Sequence, residues 1–342
     1  MSFKSSLLKS AGKLLGVFNQ KDLSLRGAVQ TLKMSFFASG GTEITFGGYK
    51  AHIFESGTSD NFEVRSGSTT IDLLVVGGGG GGGGGGPQWG HAGGGGGGAV
   101  IYETGYTITS ATNGPRIYPI SIGAGGSYGN PASNGGNSSF STTHIAAGGG
   151  GSTRRAPSQP WPSAGKPGGS GGGEGNGGGG GAGQADPALS TYPSNATIYG
   201  NHGAQFGGAA SSAGAGGGAG SAGRPRVYGG MAGTGIRIDI VPGSTGPVTL
   251  PAPEIPLGYY WASGGGAASS YHSEQNGGEF GGGGAAAINN AVGGTKSWTT
   301  GGNGAPGVSG SGGAGTGGGG GAGGPNYGGN GGSGIVIVKY LW

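Results

Sequence analysis

The sequence predicts an all-β chain built on packed polyglycine-II helices, a Gly-rich core framed by short β-strands, with a short N-terminal amphipathic α-helix in front of it. Three observations carry this reading. Gly supplies 99 of the 342 residues and is gathered into runs, the longest being 77–86. Short segments of β-branched and apolar residues flank those runs at both ends of the chain. Only the first 36 residues carry apolar side chains at convincing helical spacing.

The opening segment, residues 1–36, reads as a docking and assembly element. Leu7, Leu8, Ala11, Leu14, Leu15 and Phe18 recur at intervals that place them on one helical face, with Lys4, Lys9 and Lys13 largely elsewhere and Asn19 as a natural stop. A second amphipathic stretch follows Asp22 and uses Leu25, Ala28, Val29 and Leu32. A basic amphipathic helix suits a membrane surface or a partner protein. Docking against a partner fits better, through Leu7, Leu8, Leu14, Leu15 and Phe18. The segment lacks the apolar run and small-residue cleavage site of a secretory signal.

From about Ser39 the period changes to that of strands, and residues 37–342 read as one glycine-rich β domain. Segments 42–46 and 49–54 flank Gly47-Gly48, a two-residue hairpin signal. Segment 71–76 is apolar at nearly every position, as in a strand buried on both faces. Segments 99–103, 117–122, 236–241 and 335–340 complete the strand set. In 236–241, Ile236, Ile238 and Ile240 alternate with Arg237 and Asp239.

The runs between these strands cannot bury side chains they do not have. Fixing each residue costs about 1–2 kcal/mol, with Gly at the expensive end. Extended backbone packed on extended backbone is the economical solution, because a polyproline-II-like helix makes no internal hydrogen bonds and must send its N–H and C=O groups sideways. At about 3.1 Å per residue the run 77–86 is a rod of roughly 31 Å. Runs 93–98, 148–151, 177–181, 281–284 and 317–321 are candidates to lie beside it. A flexible linker is the alternative reading of any single run. The strict period of collagen is absent.

Charge and composition narrow the function classes. The segment 1–35 holds six basic side chains, Lys4, Lys9, Lys13, Lys21, Arg26 and Lys33, against Asp22. From totals of 17 Lys+Arg and 13 Asp+Glu, that leaves 11 basic and 12 acidic residues for the body. No basic stripe with interleaved aromatics is available, which argues against nucleic acid. No stretch approaches about 20 apolar residues. The chain has no Cys, which removes disulfides and thiolate chemistry.

Catalytic motifs are absent or accidental, and no cofactor, metal site or enzymatic activity is expected. Gly-x-Gly-x-x-Gly recurs by chance in the runs, without the strand, helix and acidic residue that give it meaning. Gly125-Gly126-Ser127-Tyr128-Gly129 fits the nucleophile-elbow pattern only formally. His52, His91, His144, His202 and His272 are scattered, without metal-ligand spacing. A glycosidase would need paired carboxylates, and no pair is evident among the 13 acidic residues.

Aromatics in turn-like sequence are the better signal. Trp89, His91, Trp161, Tyr199, His202, Tyr259, Tyr260, Trp261 and Tyr271 sit among Gly, Pro, Ser and Asn, the mixture of a binding loop in which a rigid ring supplies area at small entropic cost. An aromatic beside a Gly run also serves to cover bare backbone, which is the alternative for each of them.

The order of segments carries a resemblance. Ile71-Asp72-Leu73-Leu74-Val75-Val76 runs into poly-Gly. Tyr118-Pro119-Ile120-Ser121-Ile122-Gly123-Ala124-Gly125-Gly126 and Asn134-Gly135-Gly136-Asn137-Ser138-Ser139-Phe140 follow, and Gly331-Gly332-Ser333-Gly334-Ile335-Val336-Ile337-Val338-Lys339-Tyr340 closes the series. Over about residues 42–340 this resembles the glycine-rich domain of many phage tail-fibre and virion-surface proteins. More loosely it is similar to the glycine-rich adhesins of T-even-like tail-fibre tips, whose cores are stacked polyglycine-II helices with loops that bind host outer-membrane targets. The resemblance implies a non-catalytic protein of the virion surface, extracellular, whose partners are a host cell-surface receptor (outer-membrane protein or glycan) and other virion or fibre subunits docked through residues 1–36. A homo-oligomer is compatible with it. The alternative class is a structural protein that self-assembles into an extracellular filament or decorates a capsid.

Overall fold

Strand-forming segments separated by glycine pair into three antiparallel layers. The structure, a computed structural model, describes residues 35–56, 61–84, 91–112, 114–154, 164–175, 186–205, 213–225, 231–241, 259–267, 299–303, 309–323 and 327–342. The strands are β1 (Phe37–Ser39), β2 (Thr42–Phe46), β3 (Tyr49–Phe54), β4 (Asn61–Ser66), β5 (Ser68–Val76), β6 (Val100–Thr109), β7 (Arg116–Ser121), β8 (Ser138–Phe140), β9 (His144–Ala146), β10 (Thr197–Tyr199), β11 (Ile236–Ile238), β12 (Tyr259–Trp261) and β13 (Ile335–Leu341). A six-stranded sheet in the order β10-β6-β5-β13-β3-β2 lies between a five-stranded sheet, β1-β4-β7-β8-β9, and the ribbon β11-β12.

Side-chain alternation explains the layering. In β5, Ile71, Leu73 and Val75 face a core shared with Phe62, Val64, Tyr118, Ile120 and Phe140 of the five-stranded sheet, while Leu74 and Val76 face Ile238, Ile240 and Trp261 on the other side. β13 divides likewise, with Val336, Val338 and Tyr340 on one face and Ile335 and Ile337 on the other. A central sheet covered on both sides needs apolar residues at every position, hence the unbroken apolar run at 71–76.

The glycine runs extend the strands into a second region whose core is backbone. Residues 77–84 prolong β5, 93–99 lead into β6, and 327–334 lead into β13. Along 77–84 the amide donors turn to a new neighbour at each residue and return every third. Gly77, Gly80 and Gly83 donate to Ala99, Gly96 and Gly93 at 3.0, 2.8 and 3.0 Å. Gly78 and Gly81 donate to Gly136 and Ser133, and Gly79 and Gly82 to Gly332 and Gly329. The carbonyls accept with the same period: Gly78 and Gly81 from Gly149 and Ser152, Gly79 and Gly82 from Gly126 and Gly129, Gly80 and Gly83 from Gly320 and Gly323. Residues 77–84 are thus ringed by six chain segments. Residues 93–99 are ringed in the same way, with Gly94 and Gly97 donating to Gly214 and Gly217, and Gly95 and Gly98 to Gly320 and Gly317. A Cβ placed on Gly81 would fall on the Ser127 carbonyl, so the absence of a side chain is what lets the segments approach.

The fold class requires one correction. The described residues are all-β with no α-helix, their only helical element being a 3₁₀ turn at Pro187–Leu189. The expected N-terminal amphipathic helix, with Leu7, Leu8, Leu14, Leu15 and Phe18 on its face, lies outside the described residues and gains no support. Amphipathic spacing says which side chains would share a face. It does not supply the surface that a short helix needs in order to be stable.

Candidate functional site

At the end of the glycine bundle away from the strands, many described segments begin or end. They end at Gly84, Arg154, Gln205, Pro225 and Gly323 and begin at His91, Ala164, Ala213, Met231 and Tyr327, and the chain turns within 129–132. Hydrogen bonds tie several of these ends together. Gly84 donates to Gly129 (3.1 Å), Ala92 bridges Arg154, Arg154 takes its amide to the Asn130 Oδ1 (3.3 Å), and Gly214 bridges Pro225.

Two rings stand out from this surface. Tyr128 and Tyr327 are 41% and 64% exposed yet pack edge to face, with centroids 5.7 Å apart. Their backbones are held from below. The Tyr128 amide donates to Asn330 Oδ1 at 3.0 Å, and Ser309 Oγ donates to the Tyr327 carbonyl at 2.9 Å. Met231, 51% exposed, lies at the same end. Beneath the rim sit buried polar side chains, His91, Thr153, Arg154 and Glu174. Burial pushes the Arg154 guanidinium below its ordinary value.

The residues expected from sequence are distributed differently. Trp261 is a core residue, fully buried between β11-β12 and the six-stranded sheet, its indole N–H reaching the Ile238 carbonyl at 3.4 Å. Trp261 is therefore corrected from a receptor anchor to a packing residue, and buried His91 is equally unavailable as an exposed contact. Tyr199 and Tyr259 are half-buried against the same core, and Tyr259 packs edge to face on Trp261 at 6.0 Å. Tyr260, half-buried, is paired in register with Arg237 on the other face of the ribbon. His202 is exposed. Trp89, Trp161 and Tyr271 lie outside the described residues, although Trp89 and Trp161 belong to the segments that begin at Gly84 and Arg154. Tyr128 and Tyr327 were missed. Their signal is a Tyr-Gly pair inside a turn sequence, Ser127-Tyr128-Gly129-Asn130 and Pro325-Asn326-Tyr327-Gly328.

Elsewhere, Thr143 Oγ1, His144 and Glu103 form a hydroxyl–imidazole–carboxylate chain, at 3.0 Å to Nδ1 and 2.6 Å from Nε2 to Glu103 Oε2. His144 and Glu103 are fully buried, and Asn195 donates to the second Glu103 oxygen. Both imidazole nitrogens and both carboxylate oxygens are thus engaged in clamping the segment around Asn195 to β6 and β9. Among the described residues no group of three or more metal-ligating side chains converges, and no helix is long and apolar enough to cross a membrane.

No curated protein matches the chain. The glycine-rich domain family matches residues 54–341, most of its length, and the chain belongs to that family.

Proposed function

We propose that this glycine-rich domain protein is a non-catalytic adhesin of the phage virion surface, the tip of a tail fibre or a related spike, which recognises a host cell-surface receptor through the far end of the glycine bundle. Residues 1–36 would join it to other virion subunits. The observation that carries the reading is the concentration of segment ends and exposed rings on a bundle held by lateral backbone hydrogen bonds. A rigid scaffold that presents variable turns spends little entropy on ordering them at contact. Tyr and Trp on such turns are the residue types that dominate interface energies.

Adsorption of the labelled protein to a panel of bacterial cells tests this, with Tyr128→Ser/Tyr327→Ser as the comparison. The double variant is expected to keep its melting temperature and lose at least about tenfold in adsorption, as hot-spot rings do. Absence of adsorption to any cell, or equal adsorption by both proteins, would remove the adhesin reading in favour of a structural filament or capsid protein.

A further inference from the structure

Among the described residues the two large sheets end in β1, β9, β10 and β2, and all of these edges but β2 are blunted. β1 is three residues long and shifts register between Phe37 and Ala38. β9 is covered by Thr191, which exchanges 2.6 and 2.9 Å hydrogen bonds with Ile145. β10 is three residues long, and the part of β6 that it leaves uncovered carries Gly105 at φ +71° and a register shift opposite Ile71 to Leu73. These are the devices by which proteins prevent edge-to-edge pairing. β2, Thr-Glu-Ile-Thr-Phe, has five residues, no bulge, no Pro, no Lys and no covering segment among the described residues, and Glu43 is its one charge.

Its hydrogen-bonding phase is fixed by the hairpin. Phe46 faces Tyr49 across the two residues Gly47 and Gly48, so the pairs Phe46–Tyr49, Ile44–Ala51 and Thr42–Ile53 are the hydrogen-bonded ones, and the N–H and C=O of Glu43 and Thr45 point away from β3. Glu43 and Thr45 are both exposed. Ile44 and Phe46 lie on the opposite face, only half-covered by the core around Trp261.

We infer that β2 is a self-pairing edge: two copies of the chain join β2 to β2 antiparallel about a two-fold axis at Ile44, making one continuous sheet across both molecules. The register is self-complementary. Glu43 of each copy meets Thr45 of the other, which closes two reciprocal pairs of N–H···O bonds from the four outward groups on each side. Ile44 meets Ile44, Thr42 meets Phe46, and the apolar face is continued. The two Glu43 carboxylates are not opposite each other, so the arrangement avoids the like-charge contact that another register would create.

The register makes the test specific. Sedimentation of the full-length protein at about 100 µM should give twice the monomer mass, the level expected for a micromolar or tighter Kd. Thr45→Glu places a carboxylate opposite Glu43 of the second copy and should return the protein to monomer. Thr45→Lys places an ammonium there and should keep the dimer, with a dissociation constant that rises with salt. Thr45→Pro removes an outward N–H that β3 does not use and should also give a monomer, and a melting curve for each variant confirms that the fold persists. A monomeric wild type overturns the inference. So does an oligomer that Thr45→Glu and Thr45→Pro leave intact, or that Thr45→Lys breaks as readily as Thr45→Glu.

Discussion

The strand layers and the glycine bundle are continuous along the chain, yet they are held by opposite means. In the layers, side chains such as Phe62, Leu73, Phe140 and Trp261 are removed from water and the backbone pairs within sheets. Each fully buried side chain of this kind is worth about 1.5–3 kcal/mol. In the bundle, residues 77–84 have no side chains to bury, and each backbone unit bonds to neighbours that rotate around it with a three-residue period. The net worth of one such bond is about 0.5–1.5 kcal/mol. The bundle must therefore satisfy nearly every donor and acceptor to offset the entropy of ordering glycine, whereas the sandwich tolerates local defects. What the comparison teaches is where each region is brittle. A sandwich fails when an atom is removed, and a glycine bundle fails when one is added.

The largest expected effect tests that contrast directly. A Cβ on Gly81 would fall on the Ser127 carbonyl, with the Tyr128 amide nitrogen close behind at 2.9 Å. Gly81→Val should then push apart 77–84 and its neighbours, breaking several hydrogen bonds at about 1–3 kcal/mol each and adding overpacking strain of similar size. The result is a loss of about 5 kcal/mol, enough to abolish folding of an ordinary domain. Phe62→Ala, fully buried where the His52, Phe54, Tyr118 and Phe140 rings meet, should cost about 3–5 kcal/mol and leave a folded if weakened protein. Denaturant unfolding of both variants checks the order. A Gly81→Val protein no less stable than Phe62→Ala would mean that the bundle yields where the sandwich does not.

How much of this was legible in the sequence follows the same division. The apolar run at 71–76 announced a doubly covered strand because side chains record their surroundings, and β2 and β3 were bounded correctly by Gly47-Gly48. The lateral bonding of the runs was legible from the absence of side chains. The identity of each run's neighbours was not, because Gly-Gly-Gly carries no register. The three-residue strands β1, β8, β9 and β10 were missed for want of length, and six-residue β4 was missed although Phe62 and Val64 alternate there with Glu63 and Arg65. β12 was read as a binding turn because Tyr259, Tyr260 and Trp261 lie between glycine and proline, and it is the pairing with β11 that turns Trp261 into the core. At the far end of the bundle, Tyr128 and Tyr327 are 199 positions apart, and only the three-residue period of the bundle brings them together.

A middle-sized effect separates the two cores by pH. Burial lowers the pKa of His52, outweighing the Gly40 carbonyl, which accepts from Nδ1 at 2.7 Å, and the Glu43 carboxylate at 3.8 Å; Lys50 acts in the same direction as burial. The Tyr340 hydroxyl, bonded to Nε2 at 3.0 Å, has its own pKa raised by burial and stays neutral. Because folded His52 binds its proton less tightly than the unfolded chain, the stability linked to it is complete above about pH 6.5 and is lost as pH falls below that value. The loss is at most about 1.4 kcal/mol per pH unit. Melting temperatures measured from about pH 7.5 to about pH 5 should fall more steeply for the wild type than for His52→Gln, the difference isolating this one group. Parallel profiles would show that folded His52 takes up its proton as readily as the unfolded chain does, so that burial does not lower its pKa.

The smallest effect sharpens the meaning of glycine itself. Gly47 and Gly48 lie at φ +51° and +82°, with nothing within 4 Å of where a Cβ would stand, so they are glycine for the sake of the turn and not for close approach. Positive φ at both central residues is the two-residue hairpin geometry in which Asn-Gly is favoured, and Asn tolerates the left-handed region better than other side chains. Gly47→Asn should therefore be neutral or stabilising by up to about 1 kcal/mol, since the unfolded chain loses more freedom than the folded turn. The same substitution at Gly81 should be as damaging as Val there, because what excludes a side chain at Gly81 is the Ser127 carbonyl and not the backbone angle. If thermal melts show Gly47→Asn and Gly81→Asn to be equally mild, the bundle is not held by close backbone approach, and the distinction between its core and that of the sandwich collapses.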